Sequence, residues 1–319
     1  MPTPTVTTFA PPKDLLRIAD LDTDQLTALL DRAAEMKANP KGWLDAHTGE
    51  LVACYFSKPS TRTRVSFEAA AYRLGMLPVM LRPDELQLGR GEPISDTGKV
   101  LSSYASAIVI RTSAQSDVQE LADAANVPVI NALTGEHHPC QALADLLTLR
   151  EHFSELHGLK ITYVGDGNNV ACSLMEAGAL AGMHVALACP AGYEPDTDVT
   201  VQAYETAQRT GGSIQVTNSV EEAIGGAQAI YTDVWVSMGQ DEQSAKRLAD
   251  LQGYQVNSQV MAHAKPEAVF MHCLPAHRGQ EVTAEVIDGS QSVVFAQAAN
   301  RLSTEQAVLH TVIERSLRC

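Results

Sequence analysis

Short apolar runs alternate with segments of helical periodicity in the first half of the chain. A first helix is predicted in TDQLTALLDRAAEMK, and the β-rich runs that follow read LVACYF, LPVMLR, AIVIR and VPVIN. Segments with helical spacing of apolar residues, such as VSFEAAAYRLG and DVQELADAAN, separate these runs. The alternation is typical of a parallel sheet, because each helix carries the chain back to the start of the next strand.

The same alternation is repeated after the predicted helix ALADLLTLREHF. The second series of runs reads KITYVGD, HVALACP, SIQVTNS, AIYTD and AVFMHCL. The sequence therefore predicts an α/β protein of two doubly wound parallel-sheet domains, residues 1–150 and residues 151–302. The segment STEQAVLHTVIERSLR has the apolar spacing of an amphipathic helix, and we expect this C-terminal helix, residues 303–319, to pack back on the first domain.

Polar clusters follow several of the predicted strands at their carboxyl ends. SKPSTRTR follows LVACYF, Arg111 ends AIVIR, VPVIN leads to GEHHPCQ, DVWVSMG follows AIYT, and HCLPAHRG follows AVFM. Ligands of open α/β sheets bind beyond the carboxyl ends of the strands. Because both predicted domains carry such clusters, we expect the active site in the cleft between them.

The composition excludes several classes of protein. The chain has 319 residues and a formal net charge of -15, so its long-range field repels nucleic acid and anionic membrane surfaces. The most apolar segment, AGALAGMHVALACPAG, is interrupted by His184 and Pro190, which argues against a membrane span. The N-terminus lacks the pattern of a secretory signal and the six cysteines show no CxxC spacing, so we expect a cytoplasmic protein.

The stretch SKPSTRTR, residues 57–64, places cations where a strand passes into a helix. Ser60 is a good N-cap residue, and we expect the helix to stop at Gly75. The N-terminus of a helix already carries partial positive charge, so cations there are unfavourable unless an anion lies among them. Backbone N–H groups, hydroxyls and a guanidinium together form a phosphate site. The alternative is a capped helix with solvated charges.

Arg62 and Arg64 are not equivalent in this prediction. Two positions apart on an α-helix, they lie about 200° apart around the axis, so both cannot face one ligand. We assign Arg62 to the phosphate and expect Arg64 to form a structural ion pair.

The segment HHPCQ begins a second candidate site at a predicted helix start. Pro139 suits the first helical position, which places His138 and Gln141 three residues apart on one face. A neutral histidine beside an anion site can donate a hydrogen bond to a carbonyl oxygen. The alternative is a histidine that merely caps the helix.

The segment HCLPAHRG combines a cysteine with two histidines. Cys273 ends a predicted buried strand, where a cysteine is usually a small core residue. It becomes a candidate for chemistry because other polar clusters share the same edge of the sheet. Neither His272 nor His277 lies in an HExxH or CxxC context, so we predict no metal site.

The segment VGDGNNV, residues 164–170, follows a predicted strand as a dinucleotide-binding loop would. Val170 stands where the third glycine of GxGxxG belongs, and HVALACP ends without an acidic residue for the ribose, which disfavours a nicotinamide oxidoreductase. The glycines still predict a tight turn that leaves Asn168 or Asn169 reaching the cleft. Asp233 and the small residues of DVWVSMG suit an amino-acid zwitterion, and a plain strand-to-helix connection is the alternative.

The four motifs STRTR, HPCQ, DVWVSMG and HCLPAHRG resemble those of the carbamoyltransferase family, and they occur in the family's order. The resemblance covers nearly the whole chain, from about Leu15 to Leu317. It implies trimers with sites shared between subunits and a reaction that needs no metal and no organic cofactor. STRT and HPCQ are typical of carbamoyl phosphate users in general, whereas DVWVSMG and HCLP favour ornithine over aspartate as the second substrate.

The resemblance also implies roles for individual residues. Residues 1–150 would bind carbamoyl phosphate and residues 151–302 would bind ornithine, with Arg111, His138, Cys273 and Asp233 as catalytic residues. Gln87 would reach into the site of a neighbouring subunit. The implied carbamoyl phosphate residues are Ser60, Thr61, Arg62, Thr63, Gln87, Arg111, His138, Pro139, Cys140, Gln141, Cys273, Leu274 and Arg301. The implied ornithine residues are Asn169, Asp233, Ser237 and Met238.

The activity that the resemblance implies is transfer of a carbamoyl group from carbamoyl phosphate to the δ-amine of L-ornithine, giving citrulline and phosphate in arginine metabolism. Two alternatives stay open: a carbamoyltransferase for another amine, such as putrescine or N-acetylornithine, and a non-catalytic sensor that binds carbamoyl phosphate. AANRLS departs from the family pattern, because Ala299 and Ser303 stand where the family commonly has an acidic residue and a histidine. Arg301 itself is present.

Overall fold

The chain divides into two compact units, each built on a parallel sheet. The division falls between Cys140 and Gln141 and again between Asn300 and Arg301, so the first unit includes the last part of the chain. The computed structural model describes residues 10–84, 86–237 and 241–318. The predicted α/β class with two parallel sheets is confirmed.

The sheet of the first unit has 4 strands in the order β2-β1-β3-β4, all parallel. Helices lie between successive strands, as the alternating pattern predicts. The strands are β1 (Leu51–Phe56), β2 (Leu77–Leu81), β3 (Ala107–Arg111) and β4 (Val129–Leu133). The helices are α1 (Thr23–Ala38), α2 (Arg62–Arg73), α3 (Ile94–Ser102) and α4 (Gln115–Ala124), with short 3-10 helices at Ile18–Asp20 and Gln87–Arg90.

The sheet of the second unit has 5 parallel strands in the order β7-β6-β5-β8-β9. The strands are β5 (Lys160–Val164), β6 (His184–Ala188), β7 (Ser213–Thr217), β8 (Ala229–Thr232) and β9 (Val269–His272). The helices are α6 (Asn169–Leu180), α7 (Thr197–Thr210), α8 (Val220–Ile224), α9 (Ser244–Leu251), α10 (Ser258–Ala262) and α11 (Ala284–Ile287), with 3-10 helices at Asp241–Gln243 and Gln252–Tyr254. Helices α5 (Pro139–Phe153) and α12 (Val294–Arg318) contain the two division points.

Helix boundaries follow local sequence signals in most places. Asp22 caps α1, since its Oδ1 accepts a 2.7 Å bond from the N–H of Gln25 while the Gln25 side chain accepts from the N–H of Asp22. Pro139 is the first residue of α5, as predicted. Helix α2 ends at Arg73, and Gly75 follows with a φ of 80°, a left-handed conformation that glycine adopts without strain.

Three boundaries differ from the sequence-based expectation. Ser60 is not the N-cap of α2, because the first helical bond runs from the N–H of Val65 to the carbonyl of Thr61, which takes the cap position. Strand β4 begins at Val129 rather than two residues earlier, since Pro128 has no N–H to give to a ladder. Helix α12 begins at Val294 rather than at Ser303, because its first turns bury polar side chains that hide the apolar stripe.

In each sheet the strand order reverses between two neighbouring strands, β1 and β3 in the first unit and β5 and β8 in the second. The chain leaves such a pair in opposite directions, which opens a crevice at the carboxyl ends where ligands bind. Phe56 and Arg111 are paired at the ends of β1 and β3. In the second unit, Gly165 follows β5 and Asp233 follows β8. The predicted polar clusters therefore lie at both crevices.

The hydrophobic cores lie on these sheets. One cluster in the second unit includes Val164, Ile230 and Phe270 from three neighbouring strands, and one in the first unit includes Ala53, Ile108 and Val129. Within the described ranges, the helices include none that is both long enough and apolar enough to cross a membrane.

Candidate functional site

The segment between β1 and α2 lies beside the end of β3 in the first unit. The N–H of Ser57 donates a 2.9 Å bond to the carbonyl of Arg111, directly after the paired strand ends. The chain then enters α2, where Arg62 is half-buried, Thr63 is buried and Thr61 is exposed. The backbone N–H groups in the first turn of this helix therefore lie at the crevice between β1 and β3.

The charges of three arginines from different elements act on His138. Burial is the main cause that holds the pKa of His138 well below its usual range, and the charges of Arg301, Arg111 and Arg62 lower this pKa further. The imidazole is therefore neutral at physiological pH. A neutral imidazole still donates one N–H, which suits contact with a carbonyl oxygen rather than with the phosphate charge.

Arg301 connects α12 to the start of α2. Its Nη2 donates a 3.1 Å bond to Oγ1 of Thr63, and its Nε and Nη2 both donate to Oε1 of Glu305, at 2.9 Å and 2.6 Å. Both charged side chains are buried, with side-chain exposures of 3% and 0%. Burial raises the pKa of Glu305 to about 7, although the neighbouring Arg301 and Ser66 lower it.

Gln141 and Cys140 occupy the first turn of α5. The Gln141 side chain is buried and its Nε2 donates a 2.8 Å bond to Oδ1 of Asp145, one turn further along the helix. The Sγ of Cys140 donates to the carbonyl of Asn131 at 3.4 Å, and burial raises the pKa of this thiol. Cys140 is therefore a protonated core cysteine.

Asp233 brings together the ends of three strands in the second unit. Its Oδ2 accepts a 2.8 Å bond from Nδ2 of Asn168, which follows β5, and its Oδ1 accepts a 2.9 Å bond from Sγ of Cys273, which follows β9. Asp233 itself follows β8 and is 5% exposed. This carboxylate suits an ammonium or amine group that approaches the crevice between β5 and β8.

A second carboxylate lies near Asp233. Asp166 forms a buried ion pair with Arg247 of α9, and Nε of Arg247 also donates a 2.7 Å bond to the carbonyl of Trp235. Burial raises the pKa of Asp166 to about 6, the charge of Asp233 raises it too, and Arg247 opposes both. Arg247 thus joins the VGDGNNV and DVWVSMG segments of the second unit. Gly167 keeps the first of these compact, because a Cβ there would collide with the backbone of Pro195.

Cys273 and Leu274 follow β9 in a loop fixed by His272. The N–H of Leu274 donates a 2.8 Å bond to Nδ1 of His272, so the ring proton of a neutral His272 lies on Nε2, 3.4 Å from Oε1 of Glu281. His272 and Glu281 are both fully buried. Leu274 has a φ of 57°, which a leucine seldom adopts without support from its surroundings.

Asp233, His272 and Cys273 are also the group that could hold a metal ion among the residues described. Each offers one ligand atom, and these atoms lie within 4.8 Å of one another. These three side chains already bond within the protein, however, since Sγ of Cys273 donates to Asp233 and Nδ1 of His272 accepts from the N–H of Leu274. The grouping was not anticipated from the sequence, and its internal hydrogen bonds account for it.

Comparison with known proteins identifies the family. Residues 13–151 match the carbamoyl-P binding domain of the aspartate/ornithine carbamoyltransferases, and residues 157–312 match their Asp/Orn binding domain. The chain belongs to the aspartate/ornithine carbamoyltransferase family.

Individual members of the family are similar over nearly the full length. The chain is 49% identical over 303 residues to an ornithine carbamoyltransferase of Listeria monocytogenes serotype 4b, a match that covers 95% of this chain and 96% of that protein. It is 50% identical to one of Carboxydothermus hydrogenoformans, with 93% and 96% covered. The solved structure of the ornithine carbamoyltransferase from Pyrococcus furiosus has a TM-score of 0.92 and 46% identity, covering 97% of this chain and 99% of that one.

The structure places the residues that carry the family resemblance as follows. In the first unit, Ser60 and Arg62 are half-buried, whereas Gln87 is exposed at the start of its 3-10 helix. In the second unit, Asn169 begins α6 and Ser237 ends a described segment, both half-buried. Met238, which was also predicted, lies outside the described residues. Arg64 forms the predicted structural ion pair, with its Nε 3.0 Å from Oε1 of Glu68.

Sequence reasoning left one residue of the site undecided and missed others. It offered Asn168 or Asn169 without choosing between them, and Asn168 is the one that contacts Asp233. Asp166 stands in the glycine turn, and its position there was a usable signal. Glu305 and Arg247 gave no usable signal, because a single charged residue in a helical pattern is normally solvent-exposed.

Proposed function

We propose that this carbamoyltransferase transfers the carbamoyl group of carbamoyl phosphate to the δ-amine of L-ornithine, giving L-citrulline and phosphate. The observation that carries the proposal is a group of three arginines, Arg62, Arg111 and Arg301, whose charges all act on the buried His138, with Arg301 also bonded to Thr63 at the start of α2. A doubly charged phosphate matches such a group, and a neutral imidazole matches the carbonyl oxygen attached to it. The similar proteins are named ornithine carbamoyltransferases, which supports ornithine as the second substrate.

The first unit would supply the carbamoyl phosphate subsite. The start of α2 offers backbone N–H groups and hydroxyls, and these would hold the phosphate together with the guanidinium of Arg62. Arg111 would bridge from the phosphate to the carbonyl oxygen. His138 and Gln141 would hold the carbamoyl group, and Pro139 and Cys140 would shape the turn between them. The residues proposed for the phosphate are Ser60, Thr61, Arg62, Thr63 and Arg301.

The second unit would supply the ornithine subsite. Asn169, Ser237 and Met238 would bind the amino-acid end, and Asp233 would face an amine. Cys273 and Leu274 would complete the carbamoyl side. Because Sγ of Cys273 already donates to Asp233, the pair can exchange a proton with an approaching amine.

The reaction would follow from this arrangement. The neutral δ-amine of ornithine attacks the carbonyl carbon, and negative charge develops on the carbonyl oxygen. Arg111, His138 and Thr63 would stabilise that oxyanion. The carbon–oxygen bond to phosphate then breaks, the new carbon–nitrogen bond remains, and the amine loses one proton with the departing phosphate as the final acceptor.

The wider setting of the enzyme is also a proposal. We infer a cytoplasmic homotrimer that acts in arginine biosynthesis, with Gln87 reaching the site of a neighbouring subunit. The free thiols of the five described cysteines support a reducing compartment. The exposed position of Gln87 supports a role outside its own subunit. Sedimentation of the purified protein and a hybrid of Gln87→Ala subunits with His138→Ala subunits would test the shared site.

The experiment that tests the activity is a citrulline assay with carbamoyl phosphate and a panel of amines. We expect product with L-ornithine, and far slower or undetectable reaction with putrescine or N-acetylornithine. Faster reaction with either of these amines would replace the proposed substrate. Binding of carbamoyl phosphate without turnover of any amine would instead indicate a sensor.

Two variants would separate the subsites. For Asp233→Asn we expect a large rise in the KM for ornithine and little change in carbamoyl phosphate binding. For Arg62→Ala we expect the opposite result: carbamoyl phosphate binding is weakened more than the KM for ornithine is raised. Asp198→Asn, an exposed position in α7, is the control. Equal effects of Asp233→Asn on both substrates would contradict its assignment.

A further inference from the structure

A chain of buried hydrogen bonds in the second unit links Gln141 to the loop that carries Cys273 and Leu274. Nε2 of Gln141 and Nε2 of Gln297 both donate to Oδ1 of Asp145, at 2.8 Å and 2.7 Å. Oε1 of Gln297 accepts a 2.9 Å bond from the backbone N–H of His272. The chain therefore passes from α5 through α12 to the end of β9.

The hydrogen bonds of this chain are buried, which makes each of them costly to break. Asp145, Gln297 and His272 are all 0% exposed, and Gln141 is 2% exposed. A buried polar group that loses its hydrogen-bond partner destabilises the protein, because no water replaces that partner. The geometry is therefore held more firmly than it would be at a solvent-exposed position.

The chemistry of the donors fixes the orientation of both glutamines. Oδ1 of Asp145 accepts from both side-chain amides, so each glutamine turns its NH2 group toward this oxygen. Gln297 then presents its oxygen to the N–H of His272, which a flipped amide could not do. Gln141 likewise has its amide orientation set before any ligand arrives.

The other end of the chain reaches the loop after β9. Nδ1 of His272 accepts from the N–H of Leu274, whose φ of 57° needs such support. The backbone of His272 is in turn held by Gln297. One buried carboxylate thus takes part in fixing two stretches that are both proposed to contact the carbamoyl group.

We propose that Asp145 and Gln297 are positioning residues for carbamoyl transfer. Together they fix the position of the Gln141 amide relative to the Cys273–Leu274 loop. This inference rests on the proposed function, since it takes Gln141 and the loop as ligand-contacting. Neither Asp145 nor Gln297 belongs to the residues predicted for the site. Asp145 and Gln297 orient other residues of the site and do not contact the reacting atoms.

The effect of removing the carboxylate is expected on turnover more than on folding. A misplacement of about 1 Å in an active site can lower a rate about 100-fold. We expect Asp145→Ala to lower kcat/KM for carbamoyl phosphate by about 10- to 100-fold. Asp145→Asn keeps an oxygen that accepts from both glutamines, and we expect it to recover most of this loss.

A double-mutant cycle with Gln141→Ala distinguishes positioning from general stability. If Asp145 acts through Gln141, Asp145→Ala should lower kcat/KM by less than about 3-fold once Gln141 is already alanine, because the two losses overlap. Independent, multiplying losses would overturn the inference. If Asp145→Ala does not fold, the double-mutant cycle is made with Gln297→Met and Gln141→Ala instead. Losses in kcat/KM that multiply in that cycle would equally overturn the inference.

Thr148→Val is the matched control. Thr148 lies on the same helix and accepts a 2.9 Å bond from Nδ2 of Asn300, so it links α5 to α12 as Asp145 does but outside the chain that leads to Gln141. We expect a thermal destabilisation of similar size with kcat/KM within about 3-fold of wild type, since the bond from Asn300 to Thr148 does not orient the Gln141 amide. A fall as large as that of Asp145→Ala would mean that any loosening of α12 suffices, and the inference would fail. If the wild-type protein shows no carbamoyl transfer, the proposed function is wrong. If the wild type is active, the results for the variants test the positioning role of Asp145 and Gln297 alone.

Discussion

Nη2 of Arg301 donates a hydrogen bond of 3.1 Å to Oγ1 of Thr63, joining a helix near the end of the chain to a helix near its beginning. Nη2 of Arg301 also donates to Glu305, whose side chain is fully buried. The position of one guanidinium in the proposed phosphate subsite thus depends on a residue that no motif includes. The first unit is incomplete without its C-terminal helical segment.

Glu305 should give the protein an unusual pH dependence of stability. Its pKa is raised to about 7 in the folded protein from an ordinary value of about 4.5, so the folded state binds the proton more tightly than the unfolded state. The stabilising contribution is therefore complete below pH of about 4.5 and is lost as the pH rises toward about 7. Glu305→Gln cannot ionise and should lack this loss.

Thermal unfolding across pH 5 to 8, about the window in which Glu305 titrates, measures the effect. The Tm of Glu305→Gln minus that of the wild type should become more positive as the pH rises. Glu120→Gln, at an exposed position in α4, should show a difference that does not change with pH. A Tm difference for Glu305→Gln that stays constant across this range would show that Glu305 does not titrate there.

His138 should contribute to activity as a neutral group. Because its pKa lies well below the usual range for histidine, it stays uncharged across the neutral and alkaline pH range. Loss of one oxyanion donor typically costs about 10²- to 10³-fold in rate. We therefore expect His138→Gln to lower kcat by about that factor, and by a similar factor at every pH in this range.

The measurement is kcat against pH for the wild type and His138→Gln. Exposed His263→Gln provides the comparison and should match the wild type. A defect in His138→Gln that disappears toward acidic pH would indicate that the wild-type histidine becomes charged there, contrary to the neutral assignment.

Arg247 should be important for the stability of the second unit. It pairs with the buried Asp166 and holds the carbonyl of Trp235, and the two charged side chains are 9% and 12% exposed. Removing one partner of a buried ion pair typically costs about 3–5 kcal/mol, because the other charge is left buried. We expect Arg247→Met to be destabilised by that order and to show a raised KM for ornithine.

A second substitution tests the physical reason. Asp166→Asn in the Arg247→Met background removes the uncompensated charge, so the double variant should be more stable than Arg247→Met in chemical denaturation. Arg209→Met, at an exposed position in α7, should unfold like the wild type. If the double variant is less stable than Arg247→Met, the cost lies in lost packing or in the Trp235 contact rather than in the charge.

Secondary structure was predictable wherever apolar residues repeat with a clear period. The runs LVACYF and AIVIR coincide with β1 and β3, since both strands are largely buried and bounded by polar residues. The start of α12 was not predictable in the same way. Gln297 and Asn300 are fully buried there, and buried polar residues break the apolar stripe that marks a helix.

The candidate site was predictable in its parts. STRTR, HPCQ and HCLP were recognisable because charge, hydroxyl groups and turn residues occur together at strand ends. The partners of these residues were not recognisable. Asp145 and Gln297 lie 152 positions apart in the chain, and each resembles an ordinary polar helix residue.

The sequence by itself determined the alternation of strand and helix, the parallel class of both sheets and the motifs at the strand ends. These depend on local periodicity and on short-range chemistry that a stretch of a few residues contains. The tertiary structure decided which side chains are neutral, which are ionised and which are held in place. Those properties depend on burial and on partners distant in sequence, as the low pKa of His138 and the raised pKa of Glu305 both illustrate.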